Sequence, residues 1–255
     1  MAFFESHFFS KTLNVSTTVN VIIPEADQGI GVDAAGKTAL PKVLYLLHGY
    51  SDDQSIWMRR TSIERYAASC GLAVIMPAVN HSFYLNEARG ERYWDYVSEE
   101  LPQLMHQFFH LSSRPEDTYV AGLSMGGYGA MKLALTYPER FAAAGCFSGM
   151  LDMATEVCNA KRGDQLKRLF ADPSKVKGSD ADLFYLMEKN ADASKKPKLF
   201  VTSGTADFLY QYFQTFVPAL KQNGWDVTSS EKKDATHEWG YWDEMIQQFI
   251  ALYCG

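Results

Sequence analysis

Hydrophobic and polar positions alternate near the start of the chain. From residue 13 to residue 23, apolar residues or threonine occupy the odd positions, whereas asparagine, serine and threonine occupy most of the even ones. A period of two predicts a half-buried antiparallel strand, which Pro24 ends. We expect residues 2–9 to pair with this strand as a hairpin. Residues 25–39 contain three glycines and predict a loop.

Continuous apolar runs replace this alternation further along the chain. They cover residues 43–47, 72–76, 118–121 and 198–201. Short unbroken runs are typical of strands that are covered on both faces, as in a parallel sheet. Helical patterns separate them, at residues 55–70, 93–110 (where Pro102 is expected to bend the helix or begin a new one), 125–136, 208–222 and 241–252. Strands that alternate with helices predict an α/β fold with a mostly parallel, doubly wound sheet.

Residues 150–195 interrupt the alternation of strands and helices. The segment is polar and contains charged clusters such as Lys161-Arg162-Gly163-Asp164. It predicts short helices and loops over one end of the sheet. A segment of roughly 45 residues cannot easily hold a core of its own. We therefore expect residues 1–255 to form a single domain, with residues 150–195 as a cap insertion.

Composition and charge exclude several classes of protein. Hydrophobic residues make up 47% and charged residues 21% of the 255 positions, which is ordinary globular usage. The formal net charge is −6 and no long basic run occurs, so we expect no nucleic-acid partner. The N-terminus, MAFFESHFFS, lacks a basic region, and no apolar stretch approaches ~18 residues. This predicts neither a secretory signal nor a membrane span, and the expected location is cytoplasmic.

The pentapeptide Gly122-Leu123-Ser124-Met125-Gly126 carries the first candidate chemistry. It matches the pattern GxSxG, follows the strand predicted at residues 118–121 and opens the helix predicted at residues 125–136. This strand–turn–helix setting is what the nucleophile elbow of an α/β-hydrolase requires. The strained turn would hold the Ser124 hydroxyl above the sheet, and the flanking glycines would let the chain pass tightly. A glycine-rich turn with a solvated serine is the alternative interpretation.

A nucleophilic serine needs a base, and His237 is the candidate. In α/β-hydrolases the chain order is serine, then acid, then histidine. His237 is the only histidine after Ser124. It follows a strand predicted at residues 225–229 and precedes the last predicted helix, where a loop can present an imidazole. A surface histidine without a role is the alternative.

The base needs a carboxylate to orient it, and Asp207 is the best-placed candidate. It follows the strand predicted at residues 198–201, at the carboxyl end where sites in such sheets lie. Asp226 within the final predicted strand and Asp234 close to the histidine are rivals in poorer positions. A role for Asp207 as a helix N-cap is the structural alternative.

Acyl transfer also needs hydrogen-bond donors for the oxyanion. One donor is the backbone N–H that follows the nucleophile, at Met125, and the second comes from the loop after the third strand. We favour the Tyr50 N–H, with Gly49 leaving space for the substrate. His48 precedes the serine and is expected to shape this loop.

Aromatic residues crowd the loops around the predicted site, which suits a neutral ester or acyl group. Trp57, Phe208 and Trp239 are the best candidates for substrate contacts, because each is near a predicted catalytic loop. The four cysteines, Cys70, Cys146, Cys158 and Cys254, have no metal-ligand spacing and predict scattered free thiols. We therefore expect neither a metal nor a cofactor.

Several segments together resemble the tributyrin esterases of the esterase D group. They are GLSMGGYGA, LLHGYSDDQSIWMRRT, RYWDYVSEELP, GTADFLY and the N-terminal MAFFESHFFS. The resemblance runs from residue 1 to His237. It implies an α/β-hydrolase fold, cofactor-free cleavage of short-chain acyl esters, a triad of Ser124, Asp207 and His237, and an oxyanion hole from Tyr50 and Met125. S-Formylglutathione hydrolases and mycolyltransferases are similar more distantly.

The sequence therefore predicts a serine carboxylesterase for acetyl to butyryl esters of the tributyrin type, acting through an acyl-enzyme. Alternatives with the same triad are a carbohydrate or aromatic-acid ester deacylase and an S-formylglutathione-type thioesterase. A silent hydrolase-fold protein that only binds a ligand is the non-enzymatic alternative. The N-terminal phenylalanines either pack the hairpin onto the sheet or form a subunit contact, which leaves a homo-oligomer open.

Overall fold

The computed structural model describes residues 1–25, 40–158 and 166–255. Its eight strands are β1 (Ala2–Ser10), β2 (Val15–Ile23), β3 (Lys42–Leu47), β4 (Leu72–Pro77), β5 (Thr118–Leu123), β6 (Ala143–Phe147), β7 (Lys198–Gly204) and β8 (Val227–Lys232). Its α-helices are α1 (Ile56–Arg60), α2 (Ile63–Cys70), α3 (Tyr93–Asp95), α4 (Leu101–Phe108), α5 (Met125–Thr136), α6 (Met153–Glu156), α7 (Leu183–Lys189), α8 (Tyr210–Gln222) and α9 (Trp239–Tyr253). The loop predicted at residues 25–39 and the cluster Lys161–Asp164 lie outside the described residues, except for Glu25.

The strands form one sheet in the order β1-β2-β4-β3-β5-β6-β7-β8. The last six, β3 to β8, run parallel to one another. β1 and β2 form an antiparallel hairpin, which joins the sheet where β2 pairs antiparallel with β4. The α/β fold, the mostly parallel sheet and the N-terminal hairpin are thus confirmed.

Helices cover both faces of the sheet, as a doubly wound fold requires. The apolar residues on one face of the strands pack against α1, α2 and α9. Those on the other face pack against the helices between residues 93 and 136, and against α7 and α8. Within the described residues, no helix combines the length and the apolar character needed to cross a membrane.

The prediction that the second hairpin strand is half-buried is correct only for its beginning. Val15 and Ser16 are exposed, but residues 19–22 are all buried, including the polar Asn20. The reason is that this half of β2 lies inside the sheet, between β1 and β4, and is covered on both faces. Leu13 precedes the strand instead of belonging to it.

The sequence patterns miss β6 and misplace β8. β6 reads Ala-Ala-Gly-Cys-Phe, whose small residues have little strand propensity, yet it is wholly buried. A Cβ on Gly145 would lie 2.9 Å from the Phe249 ring, so the packing itself demands a small residue here. The final strand covers Val227–Lys232 and not residues 225–229, because Trp225 is buried outside it with its indole N–H bonded to the Met187 carbonyl.

Two of the predicted helices are interrupted. The helix expected at residues 55–70 breaks between α1 and α2, where the extended Thr61 donates its hydroxyl to the Trp57 carbonyl and accepts from the Ile63 N–H. The helix expected at residues 93–110 contains a π-helical turn at Tyr96–Glu100 between α3 and α4. Pro102 is the second residue of α4 and directly follows the π-helical turn, so it cannot donate to the Ser98 carbonyl, which accepts instead from the Arg140 guanidinium at 3.0 Å.

Candidate active site

Ser124 sits in a strained turn between β5 and α5. Its φ of +52° and ψ of −114° are unusual for a residue with a side chain. A Cβ on Gly122 would lie 2.5 Å from the Gly126 backbone, and one on Gly126 would lie 2.3 Å from the Leu47 oxygen. Only glycine therefore fits at either position. The Ser124 N–H donates to the Phe147 carbonyl at 2.9 Å, and the Met150 N–H donates to the Ser124 carbonyl at 3.3 Å.

The three predicted catalytic side chains form one hydrogen-bonded chain. His237 Nε2 lies 3.0 Å from Ser124 Oγ, and His237 Nδ1 lies 2.8 Å from Asp207 Oδ2. The side chain of Asp207 is fully buried, whereas that of His237 keeps 18% of its surface exposed. Two aromatic rings pack against the imidazole, a tilted Phe208 at 4.5 Å and an edge-on Trp242 at 4.8 Å between centroids.

Asp207 contacts His237, as predicted for the orienting carboxylate, but it is not the N-cap of α8, which is Leu209. Its Oδ1 accepts the Leu209 N–H at 2.8 Å, in the turn that leads into α8, while its Oδ2 binds His237. Burial acts to raise the pKa of Asp207, but the hydrogen bond and charge of His237 and the Leu209 N–H outweigh it and hold the pKa below its usual value. The carboxylate therefore stays ionised beside the imidazole. The rival Asp226 precedes β8, and the Asp234 N–H bonds to Thr205.

The loop after β3 is fixed by side-chain donors at three successive carbonyls. The Trp57 indole N–H donates to the Leu47 oxygen at 3.1 Å. The Tyr84 hydroxyl donates to the His48 oxygen at 3.0 Å. The His48 ring donates from Nδ1 to the Gly49 oxygen at 2.7 Å. These bonds leave little freedom in the backbone that leads to Tyr50.

The His48 imidazole acts as a neutral structural group. It is buried, and Nε2 accepts the Val79 N–H at 3.1 Å, so Nδ1 carries the ring proton. Burial is the main reason that the pKa of His48 falls to about 4. A ring that donates at one nitrogen and accepts at the other matches this loop only in its neutral form.

Tyr84 is a residue that the sequence patterns did not single out. It is fully buried and has a φ of +54°, which is rare for an aromatic residue. A Cβ on Gly129 would lie 2.5 Å from Tyr84 Cδ2, so the ring packs directly on α5. Tyr84 thus connects the helix that follows the nucleophile to the loop after β3. No local motif signals this, because the contact is purely tertiary.

The two predicted oxyanion donors occupy suitable backbone positions. Met125 is the first residue of α5, and the first four N–H groups of an α-helix have no acceptor within the helix. Tyr50 follows Gly49 in the fixed loop, and its ring stacks on that of His81 with 4.2 Å between centroids. A Cβ on Gly49 would lie 2.6 Å from Leu123 Cδ1 and 2.8 Å from Asp52 Oδ2, so a larger residue there would have to displace these side chains.

A cavity of about 410 Å³ opens at Ser124 and His237. It contains three of the four predicted substrate contacts, Gly49, Phe208 and Trp239. Trp57, the fourth, is only 1% exposed and lies in the core, where its ring packs edge-on against Phe147 and Trp239. Trp57 is close in sequence to the loop after β3 because its indole N–H binds the Leu47 carbonyl there. It is therefore a buried support of that loop and not a residue that contacts the substrate.

Other residues of the cavity were not predicted. Leu166 and Met150 add apolar surface, and Asp52 and Glu156 add two carboxyl groups. Burial raises the pKa of Asp52 above its usual value. Glu156 is almost fully buried and accepts a short hydrogen bond from the Tyr212 hydroxyl. Three of these residues belong to the segment 150–195, where no sequence motif marks a binding residue.

The described residues contain no group of three or more His, Cys, Asp or Glu side chains that could hold a metal ion. The four cysteines, all within the described residues, form no disulfide. Cys146 and Cys254 are buried, Cys70 is partly buried and Cys158 is exposed.

Comparison with known proteins places these features in context. A family model described as "Putative esterase" matches residues 10–252. An acetyl esterase of Caldicellulosiruptor saccharolyticus is 30% identical over 257 residues, covering 96% of each chain. The fluorophosphonate-binding serine hydrolase FphF of Staphylococcus aureus, solved with substrate bound, is 36% identical with a TM-score of 0.89, covering 100% of this chain and 98% of that one. An S-formylglutathione hydrolase (FrmB) of the same species is 36% identical with a TM-score of 0.86, covering 100% and 99%.

Proposed function

Because this chain belongs to the esterase family and is a carboxylesterase, we propose that it hydrolyses short-chain acyl esters, from acetyl to butyryl, with Ser124 as the nucleophile. The observation that carries the proposal is the hydrogen-bonded chain from Ser124 through His237 to Asp207 at the mouth of a cavity. A serine hydroxyl becomes an effective nucleophile only with such a base and orienting acid. Membership of an enzyme family removes the binding-only alternative.

The proposed reaction proceeds in two halves. Ser124 Oγ attacks the ester carbonyl while His237 Nε2 takes its proton, and the resulting tetrahedral oxyanion accepts hydrogen bonds from the Met125 and Tyr50 N–H groups. His237 then protonates the leaving alcohol as the carbon–oxygen bond breaks. Water attacks the acyl-enzyme by the same sequence and releases the acid. Asp207 stays ionised throughout and stabilises the charged imidazolium.

The cavity supports a small, largely neutral acyl ester as substrate. Its volume of about 410 Å³ lies near the lower end of the range for small-molecule pockets. Apolar side chains of Phe83, Leu123, Leu166 and Leu209 supply surface for a short acyl chain. The identity with an acetyl esterase over nearly the whole chain is in keeping with this choice. More specifically, we propose a preference for short-chain acyl esters of the tributyrin type.

The test is Ser124→Ala assayed with a series of p-nitrophenyl esters from acetate to octanoate. We expect kcat to fall on the order of 10⁴-fold, because the nucleophile is lost. Ser69→Ala, at an exposed serine on α2, is the matched control and should keep full activity. A fluorophosphonate should label the wild-type protein and the control, but not Ser124→Ala. Near-normal turnover by Ser124→Ala would exclude the proposed nucleophile.

A thioester such as S-formylglutathione is the second candidate substrate. The observation that favours it is the 36% identity to an S-formylglutathione hydrolase over essentially both chains. The same triad would serve, with a thiol in place of the alcohol as leaving group. The ratio of kcat/KM for S-formylglutathione and for p-nitrophenyl butyrate separates the candidates. A ratio far above one favours the thioester, and a ratio far below one favours the oxygen ester.

A further inference from the structure

The two edges of the sheet are built very differently. Edge strands expose unpaired N–H and C=O groups, and charged side chains and short length are common protections. β8 has six residues and ends in Glu231 and Lys232, of which Lys232 is ion-paired with Glu244. β1 has nine residues and four phenylalanines. β1 is therefore the longer and more apolar edge, with Glu5 as its one carboxylate, and it is less protected against further pairing than β8.

The surface along β1 is an exposed aromatic patch. Phe3, Phe4 and Phe9 keep 47%, 43% and 58% of their surface exposed. On one face of the strand, Phe4 contacts Phe109 and Phe8 contacts Phe108, with centroids 5.3 Å and 5.9 Å apart. Phe108 is itself 48% exposed. Contiguous apolar patches of this kind on a protein surface commonly mark an interaction site.

The sequence of β1 shows which partner fits. Residues 3–9 read Phe-Phe-Glu-Ser-His-Phe-Phe, which is nearly the same in both directions about Ser6. If two copies of β1 pair antiparallel with a twofold axis at Ser6, Glu5 faces the partner's His7, and Phe4 faces the partner's Phe8. Phe3 then faces the partner's Phe9. Such directly opposed residues share a face of the sheet, and both opposite-charge and aromatic pairs stabilise it.

We propose that this protein forms a twofold-symmetric homodimer through β1, in which two eight-stranded sheets join into one continuous sheet. Isologous contacts of this kind require a self-complementary surface, which the reversed symmetry of residues 3–9 provides. Pairing satisfies the outward backbone groups of β1 and covers the phenylalanines on both faces. A heterologous partner would have no reason to match this symmetry.

The interface lies away from the catalytic cavity. β1 is at the opposite side of the sheet from β7 and β8, whose following loops carry Asp207 and His237. The cavity lining includes no residue of β1. The dimer is therefore independent of the proposed chemistry, and it can be tested by mass while esterase activity reports only that each variant is folded.

The first test measures mass by sedimentation equilibrium over a concentration series. The wild type should approach twice the chain mass of 28.7 kDa. Phe9→Lys should weaken association at least tenfold, because the twofold axis places each substitution in the interface twice. Leu252→Lys, at an equally exposed apolar residue near the end of α9, should leave association unchanged. A wild type that stays monomeric to ~100 μM would overturn the proposal.

The second test checks the register. Glu5→Lys removes the carboxylate that faces the partner's His7, and His7→Glu places two carboxylates opposite one another, so each should weaken the dimer. The double variant that combines Glu5→Lys with His7→Glu places opposite charges across the axis and should recover much of the lost affinity. The proposed register is contradicted if the double variant dimerises no better than the single variants. It is also contradicted if neither single variant weakens the dimer.

The third test uses the residue on the axis. Ser6 faces the partner's Ser6, and directly opposed residues have Cβ atoms about 4.5–5.5 Å apart. Ser6→Cys should therefore form a disulfide between two copies under mild oxidation, whereas Ser174→Cys, at an exposed residue elsewhere, should not. A cross-link that forms equally in both variants reflects random collision and counts against the proposed register.

Discussion

Two stretches of chain that line the same cavity are held in different ways. In the loop after β3, three consecutive carbonyls are fixed by the side chains of Trp57, Tyr84 and His48. The described part of the segment 150–195 is attached through scattered tertiary bonds, such as that from the Tyr128 hydroxyl to the Ala181 carbonyl at 2.7 Å. The Asn190 amide likewise donates to the Leu135 carbonyl at 2.7 Å.

The difference follows from what each stretch contributes. Oxyanion stabilisation requires donors that are already oriented before the charge develops, so the loop after β3 must not move. Substrate contacts tolerate more variation, because they affect binding more than the reaction centre. Substitutions that disturb the triad or the loop should therefore act mainly on kcat, and those in the segment 150–195 mainly on KM and substrate preference.

The largest expected effect is that of Asp207→Asn. The amide can no longer hold His237 in the required tautomer or stabilise its charge, so kcat for p-nitrophenyl butyrate should fall by about 10⁴-fold. Asp226→Asn, at the rival carboxylate, should keep near-normal kcat. If the two variants exchange these effects, Asp226 is the catalytic acid.

The second prediction is that His48 makes the folding stability depend on pH. Folded His48 has a pKa of about 4, whereas an unfolded histidine titrates near ~6.5. Between pH 4 and about 6.5 His48 is protonated in the unfolded chain but neutral in the folded one, so protonation favours unfolding. The contribution of His48 to folding stability is therefore full above about pH 6.5 and is lost as the pH falls towards 4. The slope approaches ~1.4 kcal/mol per pH unit. Urea unfolding at pH 7 and pH 5 should show a smaller difference for His48→Gln than for the wild type, and equal differences would refute this role of His48.

Tyr84→Phe should produce a moderate effect on catalysis. Loss of the hydroxyl leaves the buried His48 carbonyl without that donor and loosens the loop, so we expect kcat to fall about tenfold with little change in KM. Tyr119→Phe loses a comparable bond, to the Glu116 carbonyl, far from the site and serves as control. Affinity for a boronic acid that forms a tetrahedral adduct should fall in parallel with kcat. An unchanged adduct affinity would mean that Tyr84 only packs.

Glu156→Gln should have the smallest effect, which should appear as a changed preference between anionic and neutral ester substrates. Glutamine can keep a hydrogen bond with Tyr212 but removes a carboxylate from the cavity. The KM for an ester with an anionic acyl group should drop about fivefold relative to that for a neutral ester of equal size, as ~1 kcal/mol of repulsion is removed. Glu188→Gln, outside the cavity, is the control. A change in kcat with no change in KM would mean that Glu156 affects the reaction step, like the loop after β3, and not substrate binding.

The sequence is most informative where local geometry and chemistry coincide. The residues around Ser124 form a recognisable turn, and His237 is the single histidine downstream of it, so both could be named as candidates from the sequence, and the structure brings them within 3.0 Å of one another. β6 could not be predicted, because packing against Phe249 selects small residues and thereby removes the apolar signal. Tyr84 and Glu156 could not be predicted either, since their partners lie 36 and 56 residues away in the chain.

The hydrogen bond from the Met150 N–H to the Ser124 carbonyl has a practical consequence for recombination. Met150 also lines the cavity, so the first residue of the segment that shapes substrate binding is at the same time part of the nucleophile turn. A chimera that imports this segment from another esterase should be joined after Met150. A crossover before Met150 would replace the residue that donates to the Ser124 carbonyl, and so alter the nucleophile turn as well as the binding surface.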